Sequence, residues 1–94
     1  MYYVDASAEL RKQIRELHQI ALSQGRGRLF AKDLRKIYNR MHLDPFEIGE
    51  PLYKLPMLRL QIRTASILPV VGTYSVSNDN PIVMIKSVQL LKLA

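Results

Sequence analysis

Apolar residues near the start of the chain recur at the spacing of an α-helix. Four of them share one helical face, separated by four, three and four positions: Leu10, Ile14, Leu17 and Ala21. Asp5 and Ser7 precede them, and either side-chain oxygen can accept a hydrogen bond from the free N–H groups of a first turn. We therefore expect a helix that begins between Ala6 and Ala8 and ends at Gly25, because glycine tolerates the left-handed conformation of a helix end.

The following segment repeats this pattern. We predict a second helix from about Leu29 to Leu43, because its apolar residues again share one face: Phe30, Leu34, Ile37 and Met41. Asp44–Pro45 ends the helix, since the residue before a proline is disfavoured in the helical region. Two amphipathic helices joined by a short glycine-containing turn predict an antiparallel helical hairpin.

After Asp44–Pro45 the spacing changes to that of β-strands. Apolar and polar residues alternate from Leu58 to Arg63, which predicts a strand whose apolar side packs on the core. The polar side of this strand carries three residues that we expect to face solvent: Arg59, Gln61 and Arg63.

Further strands are predicted on both sides of this one. Ile67 to Val76 is rich in β-branched residues with Pro69 near its start, and Ser77 to Pro81 is a cluster of turn-forming residues. Ile82 to Val88 is mainly apolar, which predicts a strand buried on both faces. Together with a short edge strand at Tyr2 to Val4, the pattern predicts one α+β domain over 1–94. Its helical hairpin packs on a small, mainly antiparallel sheet of three to four strands, in the order β-α-α-β-β-β.

Composition excludes several classes of function. A chain of 94 residues is too short for a complete dinucleotide-binding domain or a barrel enzyme, and the absence of cysteine excludes disulfides and thiolate chemistry. No apolar run is long enough for a membrane span, and the N-terminus lacks the features of a secretory signal, so we expect a cytoplasmic protein. His18 and His42 lie on different predicted helices, which disfavours a shared metal site, and nothing indicates a cofactor.

The positive charge is concentrated in one segment. The chain has 14 Lys and Arg against 8 Asp and Glu, a net charge of +6. Six of these cations lie between Gln24 and His42, where Asp33 is the one carboxylate. A polar row lies opposite the apolar stripe of the second helix: Arg28, Lys32, Arg35 and Asn39, flanked by Lys36 and Arg40. Two interpretations stay open: a solvated helix face, or a contact for a nucleic acid or an acidic polypeptide.

No catalytic motif is evident. Gln24 to Arg28 contains two glycines but lacks the spacing of a phosphate-binding loop and follows no strand. The polar strand face is the stronger candidate, because Arg59 and Arg63 are suited to bind a phosphodiester. Lys86 interrupts the last apolar strand and Tyr74 lies mid-strand, so both are candidates to join the arginines. The alternative is that this face is the solvent side of a one-sided sheet.

The order of these features resembles a known family. A short strand and a helical hairpin are followed by Asp44–Pro45, by the Gly-x-Pro-Leu pattern at Gly49 to Leu52, and by Leu60 to Arg63. Val70 to Val76, which includes an aromatic residue, and the valine-containing Ile82 to Val88 complete the pattern. Over most of its length the sequence resembles the RelE/ParE superfamily of bacterial toxins.

The resemblance implies the toxin half of a toxin–antitoxin pair. Members similar to RelE cut messenger RNA on the ribosome with basic residues of the sheet, members similar to ParE inhibit DNA gyrase, and both are neutralised by an antitoxin. By position, Arg59 and Gln61 fall where the ribonuclease branch has basic residues, and Arg63 follows them. Two features depart from that branch: Val71 replaces an arginine ahead of an aromatic residue, and Leu91 to Ala94 does not match its basic–aromatic tail.

These departures favour a non-catalytic, ParE-like binding module that an antitoxin holds through the basic helix and an apolar sheet edge. A ribosome-dependent endoribonuclease is the first alternative, with its site formed by four residues: Arg59, Arg63, Tyr74 and Lys86. A nucleic-acid-binding domain that uses Arg28, Lys32 and Arg35 is the second. Association of two copies of the chain also stays open.

Overall fold

The computed structural model describes residues 1–91, which form two α-helices, a short 3₁₀ helix and five strands. In chain order these are β1 (Tyr3–Ala6), α1 (Ala8–Ser23), α2 (Gly27–Leu43), β2 (Glu50–Leu55), the 3₁₀ helix (Pro56–Leu58), β3 (Leu60–Ile67), β4 (Val70–Ser77) and β5 (Ile82–Leu90). The predicted α+β class is confirmed. Neither helix in the described part has the length and apolar character needed to cross a membrane.

The helical hairpin forms as predicted, and one of its helix ends differs from the prediction: the start of α2. The hydroxyl oxygen of Ser7 accepts a hydrogen bond from the backbone N–H of Leu10 at 3.1 Å, so Ser7 is the N-cap of α1. Asp5 instead contacts Arg11 as an ion pair. Gly25 has a φ of +73° and turns the chain between the helices, and α2 begins at Gly27, two residues before the predicted start. The apolar stripe of α2 then packs on the sheet, with Phe30 and Met41 almost fully buried.

The sheet has five strands, in the order β1-β5-β4-β3-β2. The expectation of three to four strands was too low because β2 is an exposed edge strand that lacks apolar alternation. β1 pairs in parallel with β5, while the other pairs are antiparallel, so the sheet is mixed. β5 was predicted to be buried on both faces, and this is wrong: Ile82 is 44% exposed, and β4 is the central strand.

The helical hairpin covers one face of the sheet, which we call the closed face; the other is the open face. On β4 the closed face includes Gly72, where a Cβ would lie 3.9 Å from side-chain atoms of both Ile37 and Met41 of α2. Ala65 of β3 pairs with Gly72 and belongs to the same core. Because side chains alternate along a strand, Arg63 also faces the hairpin side.

The predicted orientation of β3 is therefore wrong. Gln61 and Arg63 share the closed face with Ala65, whereas Leu60 and Ile62 occupy the open face. The strand also starts two residues later than predicted, because Leu58 ends the 3₁₀ helix and Arg59 has a left-handed φ of 52°. Arg59 therefore lies just before the strand and not on its expected face.

Candidate interaction surfaces

Arg63 is buried in the structure and is only 6% exposed. Its Nη2 donates to the backbone oxygens of Phe46 at 2.9 Å and Ile48 at 3.2 Å, in the segment that connects α2 to β2. Its Nη1 donates to Oε1 of Gln61 at 2.7 Å. Neither of the two ion pairs in residues 1–91 includes Arg63. The guanidinium is thus committed to internal carbonyl oxygens, and the expectation that it faces solvent is wrong.

Tyr74 lies beside Arg63 on the neighbouring strand and is fully buried. Its hydroxyl is 2.7 Å from the backbone oxygen of Pro45 and 3.0 Å from that of Ile48, so it donates into the same connecting segment. Burial raises the pKa of the Tyr74 hydroxyl above its ordinary value, and the nearby Arg63 opposes this shift. The Tyr74 hydroxyl is buried and donates to backbone oxygens, so it stabilises the fold. Its burial also keeps it away from a substrate.

The other two residues of the predicted ribonuclease site are in different places. Arg59 follows the 3₁₀ helix, where its Nε contacts both carboxylate oxygens of Asp79 at 2.8 and 2.6 Å. Lys86 is exposed at the irregularity between β4 and β5. The four residues therefore do not share one surface: Arg63 and Tyr74 form an internal contact, Arg59 is paired with Asp79 at the surface, and Lys86 is exposed on β5.

The open face of the sheet carries mainly neutral side chains. One row across β3, β4 and β5 consists of Ile62, Ser75 and Met84, and the next consists of Thr64, Thr73 and Ser87. Val71, which replaces the arginine of the ribonuclease branch, belongs to this face as well. No cation occurs in these two central rows, so they offer hydroxyl and apolar groups but no charge to neutralise a phosphate.

The exposed side of α2 matches the sequence-based expectation. We call its polar residues the basic ridge, and all of them are solvent-exposed: Arg28, Lys32, Arg35, Lys36 and Asn39. In residues 1–91 none of the four cations forms an ion pair. The one acidic residue of α2 that is near them in sequence, Asp33, is only 4% exposed and lies with the apolar stripe. The ridge is therefore an uncompensated positive surface.

A groove between α1 and α2 adjoins this ridge and was not foreseen from the sequence. It has a volume of about 360 Å³, and five residues form its floor and walls: Ile14, His18, Phe30, Leu34 and Tyr38. Arg15 and Arg35 lie at its rim. In the sequence, Tyr38 could have indicated this groove, because it is an aromatic residue beside the apolar stripe of α2. In the structure Tyr38 lies outside the core and is 40% exposed.

The two histidines have separate structural contacts. Nδ1 of His42 lies 2.8 Å from the backbone oxygen of Tyr2. The ring of His18 stacks on Phe30 with a centroid distance of 5.9 Å. Within the described residues no group of three or more His, Cys, Asp or Glu side chains is placed to hold a metal ion.

Comparisons with known proteins bear on the fold. No protein-family model matches the chain, and no curated protein does. The chain is similar to a solved structure, that of the archaeal RelE–RelB complex from Pyrococcus horikoshii OT3, with a TM-score of 0.61 and 16% sequence identity. The match covers 99% of this chain and 98% of that one. This protein therefore has a RelE-like fold, as its sequence motifs predict.

Proposed function

We propose that this protein is the toxin-like component of a toxin–antitoxin pair, that it acts by binding and not by cutting RNA, and that an acidic antitoxin neutralises it. The fold supports the first part, since it is similar over nearly the whole chain to a structure that contains RelE with RelB. At 16% identity this similarity concerns the fold, so the mode of action must be argued from the residues themselves.

The burial of Arg63 is the main observation in favour of binding and against RNA cleavage. Cleavage of RNA needs groups that reach the scissile phosphate and stabilise its developing charge. Arg63 and Tyr74 are buried and hydrogen-bonded to backbone oxygens, and Arg59 pairs with Asp79. With Val71 also apolar, the two central rows of the open face offer no cation to a bound RNA.

The charge distribution supports an acidic partner. The net charge is +6, and the basic ridge has no ion pairs within the described residues. The like charges on this helix repel each other, and the carboxylates of an anionic partner would offset that repulsion by attracting the cations. A partner antitoxin of opposite charge fits this surface. A ParE-like mode of action, with DNA gyrase as its target, fits the lack of cations in the two central rows of the open face.

Expression in a bacterial host tests this proposal. The protein is produced alone and together with the product of the reading frame adjacent to its gene. We expect growth inhibition by the protein alone, relief by the neighbour, and a purified complex of the two. Growth that is unaffected by the protein, together with failure of the two products to form a complex, would contradict the proposal.

Direct binding to nucleic acid by the basic ridge is the second candidate function. Its support is the row Arg28, Lys32 and Arg35, in which every cation is exposed. Binding through such a row releases counterions, so affinity for a DNA duplex would fall steeply as salt rises. An affinity that is weak and unchanged by Arg28→Ala, Lys32→Ala and Arg35→Ala would exclude it.

A further inference from the structure

A separate cavity lies between the C-terminal half of α2, the segment that connects α2 to β2, and β3. Its volume is about 520 Å³, within the range of about 300 to 1,000 Å³ that small-ligand sites have. The apolar part of its lining consists of Ile37, Ile48, Ala65 and Ile67. Three charged side chains border this lining: Arg40 from α2, Glu47 from the connecting segment and Glu50 from β2. The cavity shares no residue with the groove between α1 and α2 or with the basic ridge.

One wall of the cavity is a free edge of β3. The pairing of β2 with β3 extends only to Glu50 and Thr64, whereas β3 continues to Ile67. The carbonyl oxygen of Thr64 points to this edge, because a Cβ on Gly49 would clash with it. Every second residue of an antiparallel strand directs its backbone groups to the same side. The N–H and C=O of Ser66 therefore point to the cavity side of β3, where β2 provides no partner for them.

The charged groups at the cavity do not neutralise one another. Arg40, Glu47 and Glu50 are all solvent-exposed, and neither of the two ion pairs in residues 1–91 includes any of them. A simple anion would be attracted by Arg40 but repelled by both carboxylates, and a simple cation would be repelled by Arg40. A molecule that carries charges of both signs is attracted by all three side chains.

We propose that this cavity binds a small aliphatic zwitterion, a molecule with an ammonium group and a carboxylate on an apolar body. The carboxylate contacts Arg40, and the ammonium group contacts Glu47 and Glu50. The apolar body covers Ile37, and the backbone groups of Ser66 bond to the polar groups of the ligand. A free aliphatic amino acid and a dipeptide of such residues share this chemistry. The inference is independent of the proposed function, because it uses neither the basic ridge nor the open face.

Arg63 and Tyr74 hold the wall of the cavity that carries Glu47. The backbone oxygens of Phe46 and Ile48, on either side of Glu47, both accept hydrogen bonds from Arg63. The hydroxyl of Tyr74 also contacts the oxygen of Ile48. This wall is therefore fixed before a ligand binds, which lowers the entropic cost of binding.

Nuclear magnetic resonance titration tests this inference. The isotope-labelled protein is titrated with L-leucine and with leucyl-leucine, and the backbone amide shifts give the dissociation constants. We expect saturable binding, with the largest shifts at Gly49, Ser66 and Ile67. Two analogues each lack one charge: N-acetyl-leucine has no ammonium group, and leucinamide has no carboxylate. Each should bind about tenfold more weakly than leucine, because it loses a charge-assisted contact.

Substitutions in the cavity provide a second readout. Arg40→Gln and Glu50→Gln should each weaken leucine binding by about tenfold. The matched controls, Lys12→Gln and Glu16→Gln, remove the same charges from exposed positions on α1 and should bind leucine as the wild type does. Arg40→Gln should also lose the preference for leucine over leucinamide and keep the preference over N-acetyl-leucine. Circular dichroism of all four variants confirms that they fold.

The outcomes are distinct from those of the proposed function. Tighter binding of leucine identifies a free amino acid as the ligand, tighter binding of leucyl-leucine identifies a peptide, and either result supports the site. Three results would overturn it: no saturable binding of either zwitterion, equal affinity for the two single-charge analogues and leucine, or affinities unchanged by Arg40→Gln and Glu50→Gln. Growth inhibition and complex formation with the adjacent gene product do not depend on this cavity, so the proposed function would stand in each case.

Discussion

The Nε atom of Arg63 lies 3.4 Å from the hydroxyl oxygen of Tyr74, and together they hold the chain segment between α2 and β2. Arg63 donates to the backbone oxygens of Phe46 and Ile48, and Tyr74 donates to that of Pro45 or Ile48. This segment has no regular secondary structure of its own, so its buried carbonyl groups need donors from elsewhere. Two strand residues provide them. Arg63 and Tyr74, which the sequence offered as candidate catalytic residues, thus form a structural contact.

We expect Arg63→Met to lower the free energy of unfolding by about 2 to 4 kcal/mol, because it leaves buried carbonyl oxygens without donors. Urea denaturation followed by circular dichroism measures this loss. Arg59→Met is the matched control. Arg59 is exposed and its ion pair with Asp79 lies at the surface, so we expect the denaturation midpoint of this variant to stay close to that of the wild type. Equal midpoints for the two variants would contradict the structural role of Arg63.

Tyr74→Phe removes the hydroxyl and retains the buried ring. The oxygens of Pro45 and Ile48 then lose a donor, although Arg63 still reaches Ile48. We expect a loss of about 1 to 2 kcal/mol in the free energy of unfolding. Thermal unfolding monitored by circular dichroism measures it. Tyr38→Phe, at a ring that is 40% exposed, is the control and should leave the unfolding temperature nearly unchanged.

The raised pKa of Tyr74 also predicts a dependence of stability on pH. Burial favours the neutral hydroxyl in the folded protein, so the folded pKa lies above the unfolded value of about 10. The unfolded state therefore releases its proton first as pH rises, and stability present below about pH 10 is lost as the pH increases through the folded pKa. Unfolding at pH 8 and at pH 10.5 should show a steeper fall for the wild type than for Tyr74→Phe. Parallel falls would mean that Tyr74 is not responsible.

Gly49 is a position at which the backbone admits no side chain. Its φ is +67°, and a Cβ there would lie 1.9 Å from the carbonyl oxygen of Thr64. We expect Gly49→Ala to destabilise the protein by about 3 kcal/mol or more, since the backbone must move. Gly25 has a similar φ of +73° but nothing within 4 Å, so Gly25→Ala should cost about 1 kcal/mol. Equal losses would show that the Thr64 contact is unimportant.

The fold was largely predictable because its signals are local. Helical spacing, the Ser7 cap and Gly25 define the hairpin through contacts between near neighbours in the sequence. β2 escaped prediction because an edge strand that is exposed throughout needs no apolar alternation. Its existence depends on pairing with β3, a contact between different parts of the chain that local spacing does not report.

The orientation of β3 could not be read from its own residues. Apolar and polar residues alternate there, and the pattern would place Ile62 in the core and Arg63 in solvent. The structure reverses this, because the carbonyl groups of the segment after α2 bind a guanidinium, and Ile62 is 5% exposed on the open face among neighbouring strand residues. Alternation therefore predicts that two faces differ, but which face meets the helices depends on distant backbone groups.

Of the two features on the exposed side of the helical hairpin, the sequence predicted the basic ridge but not the groove between α1 and α2. The basic ridge follows from helical spacing alone, and every one of its residues is exposed as expected. The groove beside it depends on the distance between α1 and α2, which is set by packing such as the His18–Phe30 stack. The residue pattern of a single helix does not predict the distance between two helices.

The central claim is that this protein acts by binding and not by cleaving RNA, and ribosome-dependent cleavage tests it most directly. Purified protein is added to programmed ribosomes, and primer extension maps breaks in the messenger RNA. We predict no breaks above background for the wild type and no difference from Lys86→Ala, since Lys86 is the one exposed member of the four candidate catalytic residues that lacks an ion pair in residues 1–91. Site-specific breaks that appear with the wild type and disappear with Lys86→Ala would contradict the account.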